Sequence, residues 1–382
     1  MRKTINIGDL GTIITGKTPP TTNKNYYGDY AVFIKPTDIS EQSKYTYETE
    51  EMYSKLAAEK YESSLIPKGA ICVPCIGTIG TKMTMTPCDC YTNQSINSII
   101  CNENYDNEYV YYLIKNFLPG LKAYNLGTAS GREYVSKSNF EKIELVAEQD
   151  QEIQKKIGII LSRYDSLIEN YQKQIKLLEE AAQRLYKEWF IDLHFPGHEN
   201  TKIVDGVPEG WTPSKLGQLA EFKRGKTITK KDAIEGVIPV VAGGLEPAYY
   251  CNKSNTADRV ITVSGSGANA GFTRMYFENV WASDCSFVDA STTPFLHFIY
   301  CYLKDNKTTI DNMQKGAAQP HVYAKDINSL ELCVPIESVL KSFEGTASKY
   351  FDTISSFQSQ IHLLTEARDR LLPKLMSDEI EI

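Results

Sequence analysis

A stretch written twice constrains this 382-residue chain more than any other feature. Residues 164–185, YDSLIENYQKQIKLLEEAAQRL, return 186 positions later at 350–371 as YFDTISSFQSQIHLLTEARDRL, with 11 of 22 residues identical. Ile157, Tyr164, Tyr171, Leu178 and Leu185 stand seven apart, with Leu161, Ile168 and Ile175 offset by four. The second copy answers with Phe343, Tyr350, Phe357, Leu364 and Leu371, and with Ile354 and Ile361. An apolar stripe at that spacing, held over four heptads without an internal proline, predicts two long helices that each bury one narrow seam. Each is the obvious partner of the other. The first runs from about Gln151 to about Trp189, roughly 58 Å at 1.5 Å per residue.

The rest of the chain repeats around those helices. Leu10-Gly11 and Gly16-Lys17-Thr18 are echoed by Leu216-Gly217 and Gly225-Lys226-Thr227, and the short helical pattern YVYYLIKNF by FLHFIYCYL. The closing stretch NLGTASGREYVSKSNFEKIELVAE is echoed by QKGAAQPHVYAKDINSLELCVP. The order is therefore module, helix, module, helix: a tandem duplication of one unit with a pseudo-twofold axis. Between the units, residues 190–213 hold three prolines and three glycines, a connector composition that lets the second module swing back along the first helix. If the helices pair antiparallel, the modules lie at opposite ends of a shared rod whose span is set by helix length.

A hydrophobic share of 42% against 23% charged residues is that of an ordinary soluble protein with enough apolar material for a core in each half. There are nine cysteines and no apolar run long enough to cross a bilayer, which points to reduced thiols in the cytoplasm. The net charge of −7 is unusual for a nucleic-acid binder, yet Lys215, Lys223, Arg224, Lys226, Lys230 and Lys231 face only Glu221 between positions 215 and 231. A basic patch on an acidic protein can still dock phosphates. Such a run alone is more often a solvated face.

The duplicated opening, the connector KEWFIDLHFPG (residues 187–197), VPEGW (207–211) and the closing GAAQP (316–320), taken in order, resemble the specificity subunit of type I restriction-modification enzymes over essentially the full chain. The resemblance implies an α+β fold of two tandem target-recognition domains, residues 1–148 and, with the connector, 193–337. The helices, 149–192 and 338–382, would form an antiparallel coiled coil that holds the domains apart. The implied partners are double-stranded DNA with a split target, two methyltransferase subunits and, through them, restriction subunits. S-adenosylmethionine, ATP and magnesium would belong to those subunits and none to this chain. The first module departs from the pattern, carrying GTASG at 127–131 where the second has GAAQP.

Catalytic alternatives are weaker. Gly11 to Thr18 fits the phosphate-loop pattern GxxxxGK[ST], but that loop works only between a strand and a helix whose first amides meet the phosphates. The residues after Thr18, PPTTNKN, make a poor helix, and the duplicate lacks the first glycine. SGSGANAG (264–271) approaches a dinucleotide loop with its third glycine one place late; it reads better, like CIGTIGTK (75–82), as a glycine-rich hairpin loop. Cys72, Cys75, Cys88 and Cys90 form CxxC and CxC, a zinc candidate that the second module does not repeat, so they read as small apolar residues. The five histidines form no triad, and no catalysis is expected.

Lysine and arginine hold phosphate or read guanine, asparagine and glutamine read adenine, and small hydroxyls serve either role. In the first module that chemistry, at duplicated or glycine-rich positions, selects Lys17, Thr18, Lys35, Thr78, Lys82, Ser130 and Arg132. In the second it selects Arg224, Lys226, Ser264, Ser266, Asn269, Arg274, Gln319 and His321. A competing reading from another class is a structural scaffold in which the rod bridges two protein-binding modules without DNA.

Overall fold

The computed structural model describes residues 2–77, 79–127, 133–316 and 320–381. The chain forms two units, Met1–Tyr171 with Ser359–Ile382, and Gln172–Gln358. Each contains one module and part of both long helices.

The first module is built on a four-stranded antiparallel sheet of β1 (Gly11–Thr15), β2 (Ile71–Pro74), β3 (Thr84–Met85) and β4 (Ile96–Cys101), in the order β1-β4-β2-β3. The second repeats it with β5 (Lys223–Arg224), β6 (Val260–Ser264), β7 (Thr273–Tyr276) and β8 (Cys285–Asp289), in the order β5-β8-β6-β7. The duplication read in the sequence is thus a duplication of topology. In each module a strand pair joins the two ends: Arg2–Asn6 with Glu144–Glu148, and Thr212–Lys215 with Glu331–Val334.

The short helical patterns form α1 (Asn107–Phe117) and α3 (Leu296–Asp305). Asp106 caps α1 by accepting from the Tyr109 amide at 3.0 Å. The residue before α3 offers no such cap, and Glu344 accepts from the Phe298 amide at 2.8 Å instead. The position 186 residues before Glu344 is Gly158, where a Cβ would stand 2.8 Å from the Glu108 side chain. One helix end is therefore served by its own loop and the other by a long helix, which accounts for a glycine in one copy of the repeat and a glutamate in the other.

The long helices are α2 (Gln151–Phe190) and α4 (Glu337–Met376), and both begin and end close to where the apolar period does. Asp150 starts α2 by accepting from the Glu152 amide at 2.8 Å. In the first unit Ile157 and Leu161 of α2 share a core with Leu372, Leu375 and Met376 of α4. In the second, Tyr186, Trp189 and Phe190 of α2 share a core with Phe343, Ala347 and Phe351 of α4. Early residues of one helix meet late residues of the other in both, so the helices pair antiparallel. Midway along the two helices, Ile175, Leu178, Ile361 and Leu364 are only half-buried.

The two ends of the seam are not chemically alike. Asp165 and Arg368 form an ion pair in the first unit, both about 6% exposed, and Tyr112 of α1 donates its hydroxyl to the same carboxylate. Their counterparts under the 186-residue repeat are Phe351 and Ala182, both buried in the apolar core of the second unit. A charged pair in one copy stands where the other has an aromatic ring and a methyl group. Among the described residues no helix is long and apolar enough to cross a membrane.

Candidate nucleic-acid interface

Both modules fold their glycine-rich loops onto one hydrogen-bonded frame. At the end of β1 the Gly16 and Lys17 amides donate to the Ile96 and Thr92 carbonyls, at 3.2 and 2.9 Å; at the end of β5 Gly225 and Lys226 donate to Cys285 and Ala282, at 2.8 and 2.9 Å. Glycine is obligatory there because a Cβ on Gly16 would lie 2.1 Å from the Thr92 oxygen, and one on Gly225 would lie 2.4 Å from the Ser283 oxygen. That close approach accounts for the repeated glycine without any call on phosphate binding. The residues between Gly11 and Gly16 belong to β1 and are laddered to β4, so their amides cannot converge on an anion.

The loop after β2 and the loop after β6 share the rest of the frame. Cys75 donates to Ser95, Gly77 to Glu133 and Val135 to Cys75, at 2.7, 3.0 and 2.8 Å. Gly265 donates to Asp284, Gly267 to Pro320 and Val322 to Gly265, at 3.0, 3.0 and 3.1 Å. Gly77 and Gly267 both take positive φ, 89° and 80°, with nothing within 4 Å of where a Cβ would stand. The left-handed backbone, rather than packing, demands glycine at these two positions.

The selected residues divide sharply on this scaffold. Lys17, Arg224 and Lys226 are exposed, Lys82 is half-buried, and among the described residues none of the four forms an ion pair. The Thr18 hydroxyl bonds the Gln94 side chain. Lys35 is engaged by Glu50 and Glu51, at 2.7 and 3.3 Å, and Arg274 by the Leu245 carbonyl and Glu246, at 2.8 and 3.1 Å, with its guanidinium 4.9 Å from the Tyr276 ring centre. These two charges are largely neutralised within the protein. Ser264 is buried and donates to the Gly243 carbonyl at 3.2 Å, an acceptor that Asn269 also reaches at 3.5 Å. Ser266 donates to the Asp284 carboxylate, and the His321 ring lies parallel to Tyr323 with centres 5.9 Å apart. Arg224, Asp284, His321 and Tyr323 line one pocket. Thr78, Ser130, Arg132 and Gln319 lie outside the described residues.

Asp284 and Tyr323 were not selected from the sequence. Neither falls in a glycine-rich stretch, and only aligning the two modules along their shared backbone bonds brings them to notice.

Of the four cysteines of the zinc candidate, Cys88 is exposed and the other three belong to the core. Cys72, Cys75 and Cys90 are buried, Cys72 with Ile34, Ile39 and Ile66, and burial pushes the Cys72 and Cys75 thiols up to about 12. Metal ligation needs thiolates, which that environment disfavours. Among the described residues no three Cys, His, Asp or Glu side chains are grouped to hold a metal ion.

The family model for the type I restriction modification DNA specificity domain matches residues 2–180 and 208–369, most of both halves. The chain belongs to this family. Among specificity subunits, that of the type I restriction enzyme MjaIX of Methanocaldococcus jannaschii is 27% identical, over 98% of this chain and 93% of its own length. The HindI specificity subunit of Haemophilus influenzae is 37% identical over 41% of this chain and 35% of its own length. The crystal structure of a type I system S subunit from M. genitalium matches 98% of this chain and 96% of its own with a TM-score of 0.59 at 17% identity, which is a likeness of fold. As in the sequence reading, the chain is a specificity subunit with two α+β modules and paired long helices.

Proposed function

We propose that this specificity subunit reads a split double-stranded DNA target, one block per module, through the loops that extend from the ends of β1 and β2 in the first module and of β5 and β6 in the second. The observation that carries the reading is that the DNA specificity family matches both halves of a chain whose two modules repeat one loop frame. On that frame Lys17, Arg224 and Lys226, which form no ion pair among the described residues, can meet phosphate or guanine, and Ser266, Asn269 and His321 supply shorter polar groups. Lys35 and Arg274 are better placed to hold their own loops. Residues 1–148 and 193–337 act as the two recognition domains, and the helices as the spacer. Two methyltransferase subunits bring S-adenosylmethionine, restriction subunits bring the ATP and magnesium chemistry, and this chain catalyses nothing. The family match disfavours a scaffold that bridges proteins without DNA.

The test is sequence-selective DNA retention by the chain assembled with its methyltransferase subunits. Wild-type complex retains target duplex against unrelated competitor. Arg224→Ala weakens or relaxes recognition in the block read by the second module, by about 1–3 kcal/mol for a bidentate base contact. A wild-type complex with no preference among sequences, or an Arg224→Ala defect confined to the other block, would sink the reading.

A further inference from the structure

The shared frame allows the two modules to be compared position by position. Asp284 offers its carbonyl to Gly265 as Ser95 does to Cys75, so Asp284 and Ser95 occupy the same place. Arg224 precedes Gly225-Lys226 as Thr15 precedes Gly16-Lys17, and each faces a β-strand partner, Ser286 or Asn97. Ser266 stands where the first module has Ile76. We propose that Asp284, with Arg224 beside it, reads one G·C base pair in the block recognised by the second module, and that the first module reads a different base pair at the corresponding step.

The reasons are chemical. Among the described residues the Ser266–Asp284 side-chain bond has no counterpart in the first module, where Ile76 and Ser95 hold the same loop in the same frame. Folding of the loop therefore does not require the carboxylate. Among the described residues no cation pairs with Asp284, and an unneutralised carboxylate facing a polyanion is repelled unless it gains a donor. After Ser266 is served, an ionised carboxylate still has acceptor sites left. Cytosine N4 is the donor that Asp accepts from in the major groove, and the guanine O6 and N7 acceptors are what Arg reads. One G·C pair presents both on the same edge, and the two side chains that match it line the same pocket. At the equivalent place the described residues of the first module are Thr15 and Ser95, and Thr15 turns its hydroxyl onto Asn97 at 2.7 Å.

This inference rests on the DNA-recognition reading, and the experiment separates the two. Complexes containing wild-type chain, Asp284→Asn or Asp284→Ser are assembled with the methyltransferase subunits, and the modified sites on genomic DNA are mapped. Wild type should show a G·C pair in the second block. Asp284→Asn, which keeps the shape but turns one acceptor into a donor, should lower modification of that target about tenfold or admit another base pair at that one step, with the first block unchanged. Thermal melting checks folding; if Asp284→Asn melts early, Arg224→Gln makes the same test from the other side of the pair. Folded variants that methylate the wild-type target at the wild-type level, a change in the first block, or a second block without a G·C pair would overturn the inference. A wild-type complex that selects no split target would overturn the DNA-recognition reading itself.

Discussion

Arg368→Ala is expected to destabilise the protein by about 3–5 kcal/mol, the cost of leaving one member of a buried ion pair without its partner. Asp165 lies on α2 and Arg368 on α4, and the hydroxyl of Tyr112, on α1, is the carboxylate's other hydrogen-bond partner. Removing the guanidinium strands that carboxylate in a seam that also holds Ile157, Leu161 and Leu372. The double variant Asp165→Phe with Arg368→Ala should recover most of the loss, because it installs the residues that the repeat carries at these places in the second unit, Phe351 and Ala182. Urea unfolding of the three proteins decides it. A loss below about 1 kcal/mol for Arg368→Ala would mean that the ion pair is solvated and the helices are held elsewhere.

Phe343→Ala should cost a similar amount, about 3–5 kcal/mol, for a different reason. Phe343 is fully buried, with ring centres 5.8 Å from Trp189, 5.1 Å from Phe190 and 6.3 Å from both Tyr186 and Phe298. Three of those rings come from α2 and the fourth from α3, so truncation opens a cavity where the two long helices and the second module meet. Phe343→Leu, which keeps most of the volume, should cost much less. Equal losses for the two substitutions in thermal melts would contradict this packing.

The helices were legible because seven-residue spacing is a direct record of a buried seam, and both carry on for little more than a turn past its last positions, Leu185 and Leu371, to Phe190 and Met376. Antiparallel pairing was a conjecture from the repeat, and the Asp165–Arg368 and Trp189–Phe343 contacts establish it. The exceptions to the repeat were not legible: an aspartate in place of phenylalanine at 165 looks like a surface change until Arg368 stands opposite. The Gly-Lys-Thr resemblance to a phosphate loop misleads for a similar reason, since glycine is demanded at Gly16 by a crossing backbone and the letters carry no trace of which neighbour imposes it. Lysine and arginine in loops could be picked out by type, but Lys35 and Arg274 are tied to carboxylates that only the fold brings near. Asp284 escaped notice because an acidic residue is ordinarily discounted on a DNA-binding face, and its case appears only when Ser95 is found in the same place.

The claim that two modules read two blocks at a separation fixed by the helices is tested most directly by mapping the modified target of the complex before and after four residues are inserted between Glu169 and Asn170. If residues 157–185 pair with 343–371, the helix length sets an expected separation of about 40 Å, or about a dozen base pairs between block centres. The wild-type complex should modify a target of two short specific blocks around an unread spacer of fixed length. The insertion adds about 6 Å to one helix and should move the preferred spacer by one or two base pairs with both blocks unchanged. A single continuous target, or a spacer indifferent to the insertion, would contradict it.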